Sequence, residues 1–221
     1  MKIKFCGLRR PEDIEYANQT RPDYIGFVFA KSKRQVSPEL AGQLGLGLAE
    51  GMKRVGVFVN APLEEILEAV RLAKLDVVQL HGDEGPEEIR AVKDALVGVG
   101  TGTIGRVPEI WKAVRTTDAA VLLAADGLEV DRLLLDAFTP GMAGGTGVVA
   151  DWNMIRGVKE QLTKPFFLAG GLNAGNLEEA VYAVEPYGID LSSGIETDGF
   201  KDLSKMEDII EIIERVGGKR A

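Results

Sequence analysis

A single cysteine, a single histidine and a handful of acids and arginines are the residues of this 221-residue chain that could do chemistry. Cys6 follows a short β-rich run and precedes Gly7. A thiol there works as a base if nearby positive charge or a helix dipole ionises it; without that help it is a small buried hydrophobe. Asp136 emerges from Leu133-Leu134-Leu135, and is either a hydrogen-bonded structural acid or a proton donor whose pKa its surroundings raise. Arg34 closes Lys31-Ser32-Lys33-Arg34, the tightest basic cluster, which reads as an anion contact or as a solvated loop. Glycines gather in Gly144-Gly145-Thr146-Gly147, Gly170-Gly171-Leu172-Asn173 and Ser192-Ser193-Gly194. Without a Cβ, backbone N–H groups can approach an oxyanion and converge on it. The candidate phosphate-binding residues are therefore Gly144, Gly145, Gly170, Gly171, Asn173, Ser193 and Gly194.

Such residues need a scaffold that brings distant segments to one place. Eight β-rich runs alternate with helix-period segments along the chain: Lys2–Cys6, Tyr24–Phe29, Arg54–Val59, Val77–Leu80, Ile110–Val114, Arg132–Leu135, Phe166–Ala169 and Ile189–Leu191. Between them Leu63, Ile66, Leu67 and Val70 recur at helical spacing behind Pro62. Leu177, Ala180, Val181 and Val184 do the same behind Asn176, a good N-cap type. The last helix is predicted to open on the capping-box spacing Ser204–Glu207, to bury Met206, Ile209, Ile210 and Ile213, and to stop at Gly217-Gly218. Ala119–Ala125 is read as helix. Val97–Gly105, rich in glycine, is read as the loop before the fifth strand. About eight strand–helix repeats with short connections and no linker predict an α/β fold, one (β/α)8 barrel of eight parallel strands occupying residues 1–221 as a single domain. An open doubly wound sheet is the alternative, because local periodicity does not report closure. In a barrel, function sits at the C-terminal ends of the strands and in the loops that follow. Cys6, Arg34, His81, Asp136, Asp190 and the last two glycine clusters all fall there.

Composition narrows the chemistry. A net charge of −8 argues against a broad nucleic-acid surface, and no apolar run reaches the roughly 20 residues of a membrane span. One cysteine allows no internal disulfide and suits a reducing cytoplasm. One histidine and one cysteine do not build a His/Cys metal cage, so a structural or catalytic zinc is not expected. Gly98-Val99-Gly100 lacks the third glycine and the acidic residue of a dinucleotide fingerprint. No signal-peptide pattern is visible from Met1.

The ordered motifs resemble phosphoribosylanthranilate isomerase of tryptophan biosynthesis. Lys2-Ile3-Lys4-Phe5-Cys6-Gly7-Leu8 is similar to that family's opening. Gly26-Phe27-Val28-Phe29 with Ser32-Lys33-Arg34 and Ser37-Pro38 resembles its second strand and loop. Val55–Asn60 and Val78-Gln79-Leu80-His81-Gly82 resemble its third and fourth strands, and Trp111-Lys112-Ala113 its fifth. Leu134-Leu135-Asp136, Gly144–Gly147 with Asp151-Trp152, Gly170–Asn173 and Asp190–Gly194 complete the series. The resemblance implies a (β/α)8 barrel performing an internal Amadori rearrangement, with Cys6 as general base, Asp136 as general acid, Arg34 on the anthranilate carboxylate and the glycine loops on the ribose phosphate. It also sets His81 and Asp190 at the mouth as substrate contacts, although a lone histidine at a strand end also serves as a hydrogen-bonded structural residue. The partner expected is one small phosphorylated substrate, with no cofactor, no nucleic acid and no membrane, acting in a monomer or homodimer. Two departures stand out: a longer Val97–Gly105, and Val148-Val149-Ala150 where the family often carries a basic or aromatic residue.

Other phosphosugar barrels fit less well. An indole-glycerol-phosphate synthase would need a lysine–glutamate pair at strand ends, and a ribulose-phosphate epimerase metal ligands. A non-catalytic phosphometabolite-binding barrel would have no use for both Cys6 and Asp136.

Overall fold

The computed structural model describes residues 1–99, 105–136 and 152–217. Eight parallel strands close into a barrel: β1 (Lys2–Cys6), β2 (Tyr24–Val28), β3 (Lys53–Phe58), β4 (Val77–Leu80), β5 (Glu109–Arg115), β6 (Arg132–Asp136), β7 (Phe166–Ala169) and β8 (Gly188–Leu191). The ring runs in sequence order and β8 pairs back onto β1, which rejects the open-sheet alternative. Helices α1 (Pro11–Thr20), α2 (Pro38–Leu46), α3 (Leu63–Ala73), α4 (Pro86–Val99), α5 (Ala119–Asp126), α6 (Trp152–Val158), α7 (Leu177–Val184) and α8 (Leu203–Gly217) complete the alternation.

Every strand is buried on both faces, which is why the strands read as apolar runs and not as alternating ones. One set of side chains, including Phe5, Phe27, Leu80, Leu133, Leu168 and Leu191, packs outward against the helices. The alternate set fills the barrel: Tyr24, Val55, Val77, Trp111, Ala113, Leu134, Phe167 and Ala169. Its lower part is aromatic. Tyr24 meets Trp111 and Phe167 edge-on at 5.0 and 5.5 Å, and Trp111 stacks on Phe167 at 4.6 Å. Tyr24, Trp111 and Phe167 are all buried, and burial pushes the Tyr24 hydroxyl up to about 12.

The helices form for local reasons. α3 starts behind Pro62 and buries Ile66, Ala69, Val70 and Ala73 as one stripe. α5 is a helix as expected, capped by Asp118, which accepts the Val121 N–H at 3.0 Å. Three expectations need correction. Val97–Val99 belong to α4, not to a loop: Ile89, Val92, Leu96 and Val99 continue one buried stripe, and that packing outweighs the roughly 1 kcal/mol that Gly98 costs a helix. Residues 100–104 lie outside the described residues. α8 opens two residues earlier than predicted. Asp202, not Ser204, caps it through the Lys205 N–H, and Ile210 is half-buried while Val216 is buried. Asn176 occupies the N-cap of α7 but makes no capping bond, because its side chain is committed to the preceding loop.

After β8 a 3-10 turn (Ser193–Ile195) leads into a hairpin of β9 (Glu196–Thr197) and β10 (Phe200–Lys201). Asp198 and Gly199 at its tip both have positive φ, the geometry a two-residue hairpin turn demands.

Candidate active site

The C-terminal ends of the strands surround a cavity of about 390 Å3, lined by Cys6, Arg34, Gln79, His81, Asp136, Gly170, Gly171, Asp190 and Ser193 among others. Strand alternation explains the selection. Lys4 and Cys6, Gln79 and His81, Leu134 and Asp136 are pairs two residues apart on the inward face, the second of each pair nearer the mouth. Cys6 on β1 and Asp136 on β6 are separated by β7 and β8 on the shorter way round. They stand on different walls of one cavity.

On the β6 wall, His81 Nε2 lies 3.2 Å from Asp136 Oδ2, and the Gln79 Nε2 amide lies 3.0 Å from His81 Nδ1. An amide N–H only donates, so Nδ1 accepts and the ring proton sits on Nε2, directed at Asp136. Gln79 is 1% exposed, and its Oε1 has no hydrogen-bond partner among the described residues. The β4 loop that carries His81 is fixed from below: Lys112 Nζ donates to Gly82 O at 2.6 Å and to Glu84 Oε2 at 2.9 Å.

The β1 wall is drier and more charged. Cys6 is 7% exposed. Beneath it Lys4, fully buried, donates to Asp190 Oδ1 at 2.9 Å. Beside it Glu196 accepts both arms of the Arg34 fork, Nε at 2.6 Å and Nη2 at 2.8 Å, together with Lys201 Nζ at 2.8 Å. Burial raises the Glu196 carboxyl, but its bonds to Arg34 and Lys201 outweigh this and hold it at about 2. Burial likewise pushes the Cys6 thiol up. Lys4 and Lys201 pull it back without cancelling that effect. The positive charge that a cysteine base requires is present, and burial works against it.

Sequence reasoning placed Arg34 correctly at the mouth but not its partner. Glu196 and Lys201 were missed altogether. Their signal was the Asp198-Gly199 pair, a strong hairpin marker, which brings both side chains back over β1. Arg9 and Arg10 steady this hairpin, their guanidinium carbons 4.8 and 4.3 Å from the Phe200 ring centre. Asp190 is at the mouth as expected, but one of its oxygens is committed to Lys4.

The two described glycine loops adjoin each other on the remaining side. Gly170 and Gly171 have φ of 91° and 69°, open to glycine at little cost. Asn173 and Asn176 each donate to Gly171 O at 3.1 Å, while Asn173 Oδ1 accepts the Gly175 N–H at 2.9 Å. Gly194 packs so closely on the Leu172 carbonyl that a Cβ would collide with it. The β7 and β8 loops thus form one rigid shelf that carries Gly170, Gly171, Asn173, Ser193 and Gly194. Gly144 and Gly145 lie outside the described residues.

A sequence profile of the family described as N-(5'-phosphoribosyl)anthranilate (PRA) isomerase matches residues 3–212. The chain belongs to that family. Among the PRA isomerases it is similar to, that of Acetivibrio thermocellus is 46% identical over 98% of this chain and 97% of its own length. The one from Thermoanaerobacter pseudethanolicus is 44% identical over 98% and 99%. The crystal structure of the Thermotoga maritima PRA isomerase superposes with a TM-score of 0.83 at 32% identity, covering 97% of this chain and 99% of that one. A second PRA isomerase structure, in complex with reduced 1-(o-carboxyphenylamino)-1-deoxyribulose 5-phosphate, gives 0.80 at 30% identity, covering 97% and 99%.

Proposed function

We propose that this PRA isomerase of tryptophan biosynthesis opens and rearranges its substrate with Asp136 as general acid and Cys6 as general base. The observation that carries the assignment is that the chain's one cysteine and the Asp136 carboxyl face one cavity from different walls, with the glycine shelf between them. The ribose phosphate rests on that shelf, where the backbone can come close to an oxyanion without a Cβ in the way. Asp136 gives a proton to the furanose oxygen, the C1′–O bond breaks, and nitrogen lone-pair donation leaves a Schiff base. The Cys6 thiolate removes the C2′ proton, and the electrons shift to form the C1′=C2′ enolamine. Protonation at C1′ and loss of the C2′ hydroxyl proton give the aminodeoxyribulose. Atoms and charge balance with no external reductant or oxidant.

Arg34 holds the anthranilate carboxylate, with Glu196 fixing its fork in plane. His81 donates to Asp136, and Gln79 sets the tautomer that lets it do so. The enzyme works in the cytoplasm as a monomer or a homodimer. Two observations support this reading: among the described residues no helix is long and apolar enough to cross a membrane, and the Thermotoga maritima relative is described as dimeric.

The test is direct. Phosphoribosylanthranilate generated in situ loses its anthranilate fluorescence when the pure protein is added. No loss above the spontaneous rate, with a folded protein, rejects the activity.

A further inference from the structure

The buried charges around Cys6 do not sum to zero. Lys4 is 0% exposed, and the side chains of Lys201 and Glu196 are 1% and 5% exposed; Asp190 at 9% and the Arg34 side chain at 19% complete the set. Three cations face two carboxylates, an excess of one positive charge; Lys33, 3.9 Å from Glu196, is solvent-exposed and sits outside the set. Burying an uncompensated charge is costly, and the cost falls when an anion completes the balance. Cys6 is the group in their midst that can become one.

Geometry selects which cation serves it. Lys4 and Cys6 are two residues apart on β1 and share its inward face. Opposite them in register, β2 offers Tyr24 to Lys4 and Gly26 to Cys6. A Cβ at Gly26 would lie 2.8 Å from the Cys6 sulfur and 3.3 Å from Lys4 Nζ, so the missing side chain is the space in which sulfur and ammonium meet. On the other side, β8 sets Asp190 in register with Lys4.

We propose that Lys4 is the positioning residue that makes Cys6 a base: its ammonium, steadied by Asp190, is the counter-ion of the Cys6 thiolate. The proposal rests on the reading of Cys6 as base. Lys4 keeps its proton throughout; the thiol proton leaves through the mouth to solvent. Burial favours a neutral Lys4, but the pull of Asp190 and of Cys6 is stronger and keeps it charged. The other groups facing the sulfur divide by sign. Asp190 opposes its ionisation and Lys201 favours it, and Arg34 is coupled to it from the β2 loop.

Because the chain has one cysteine, alkylation by iodoacetamide followed against pH reads the Cys6 midpoint without ambiguity. Lys4→Met should move that midpoint up by about 1–3 pH units, and Asp190→Asn should move it down. In Lys4→Met, kcat at neutral pH should fall about tenfold for each pH unit by which the midpoint rises, and recover in alkaline buffer, with KM unchanged. If Lys4→Met does not fold, Lys4→Met/Asp190→Asn removes both charges together and should still titrate above wild type. A folded Lys4→Met or double variant with a wild-type or lower midpoint overturns the proposal, as does a raised midpoint in Asp190→Asn. A folded Cys6→Ala protein with normal turnover would instead overturn Cys6 as base, whatever the alkylation midpoints report.

Discussion

The two walls that hold the acid and the base are built on opposite principles. On the β6 side, Asp136 and His81 have side chains 24% and 32% exposed and share one hydrogen bond. On the β1 side, Cys6 sits among four charged groups that solvent barely reaches, Lys4, Asp190, Glu196 and Lys201, with Arg34 at their edge. A carboxylic acid that must donate a proton and recover it each cycle needs contact with water. A thiol that must take a proton from carbon needs its anion stabilised by fixed charge and not by mobile solvent, which would have to reorganise at each turnover.

The largest effects should strip each wall of its reactive group. Asp136→Asn and Cys6→Ala are each expected to lower kcat by about 10²–10⁴-fold with KM nearly constant, measured by fluorescence at saturating substrate. Cys6→Ser should be almost as damaging, since an alcohol ionises far less readily than a thiol. Equal, modest losses on both walls would erase the distinction drawn between them.

Next comes the Arg34–Glu196–Lys201 set. Arg34→Lys should raise KM by about 10-fold or more, because a single ammonium replaces a fork that recognises a carboxylate in two places. An unchanged KM would move the carboxylate contact elsewhere.

Folding stability sharpens the comparison further. Glu196 titrates at about 2 when folded, against about 4.3 in an unfolded chain. A depressed carboxyl stabilises above its unfolded value, so this contribution is complete above about pH 4.5 and is lost as pH falls toward 2. The loss is on the order of 3 kcal/mol. Urea unfolding at several acid pH values should show it in wild type, and Glu196→Gln should remove that part of the pH dependence. On the other wall, His81→Asn should change stability by less than about 1 kcal/mol, the smallest effect of the series.

The two walls also differed in how far the sequence revealed them. All eight strands were legible from their apolar runs, and Cys6, His81, Asp136 and Asp190 were legible from their places at strand ends. The charged set was not. Arg34 and Glu196 are 162 residues apart, and Lys4 and Asp190 are 186 apart. Only closure of the ring, with β8 in register on β1, decides that they meet. Periodicity also failed at Gly98, where one glycine in a helical stripe looked like the start of a loop, and at Ser204, where the true cap lay two residues earlier. At Gly98 buried packing beyond the local motif decided the outcome, and at Ser204 the Asp202 carboxylate took the capping bond first.

The aromatic cluster of Tyr24, Trp111 and Phe167 gives the barrel a stopper. With that end sealed, the tube is a vessel with one opening, and a hydrogen lifted from C2′ leaves only by the route the substrate entered. While the substrate itself fills the neck, that hydrogen is shared among the sulfur, the Lys4 ammonium beside it and the sugar carbon, and bulk water is held off. Deuterium placed at C2′ should then reappear in part at C1′ of the product, and mass spectrometry of a single turnover would measure how well the vessel holds it.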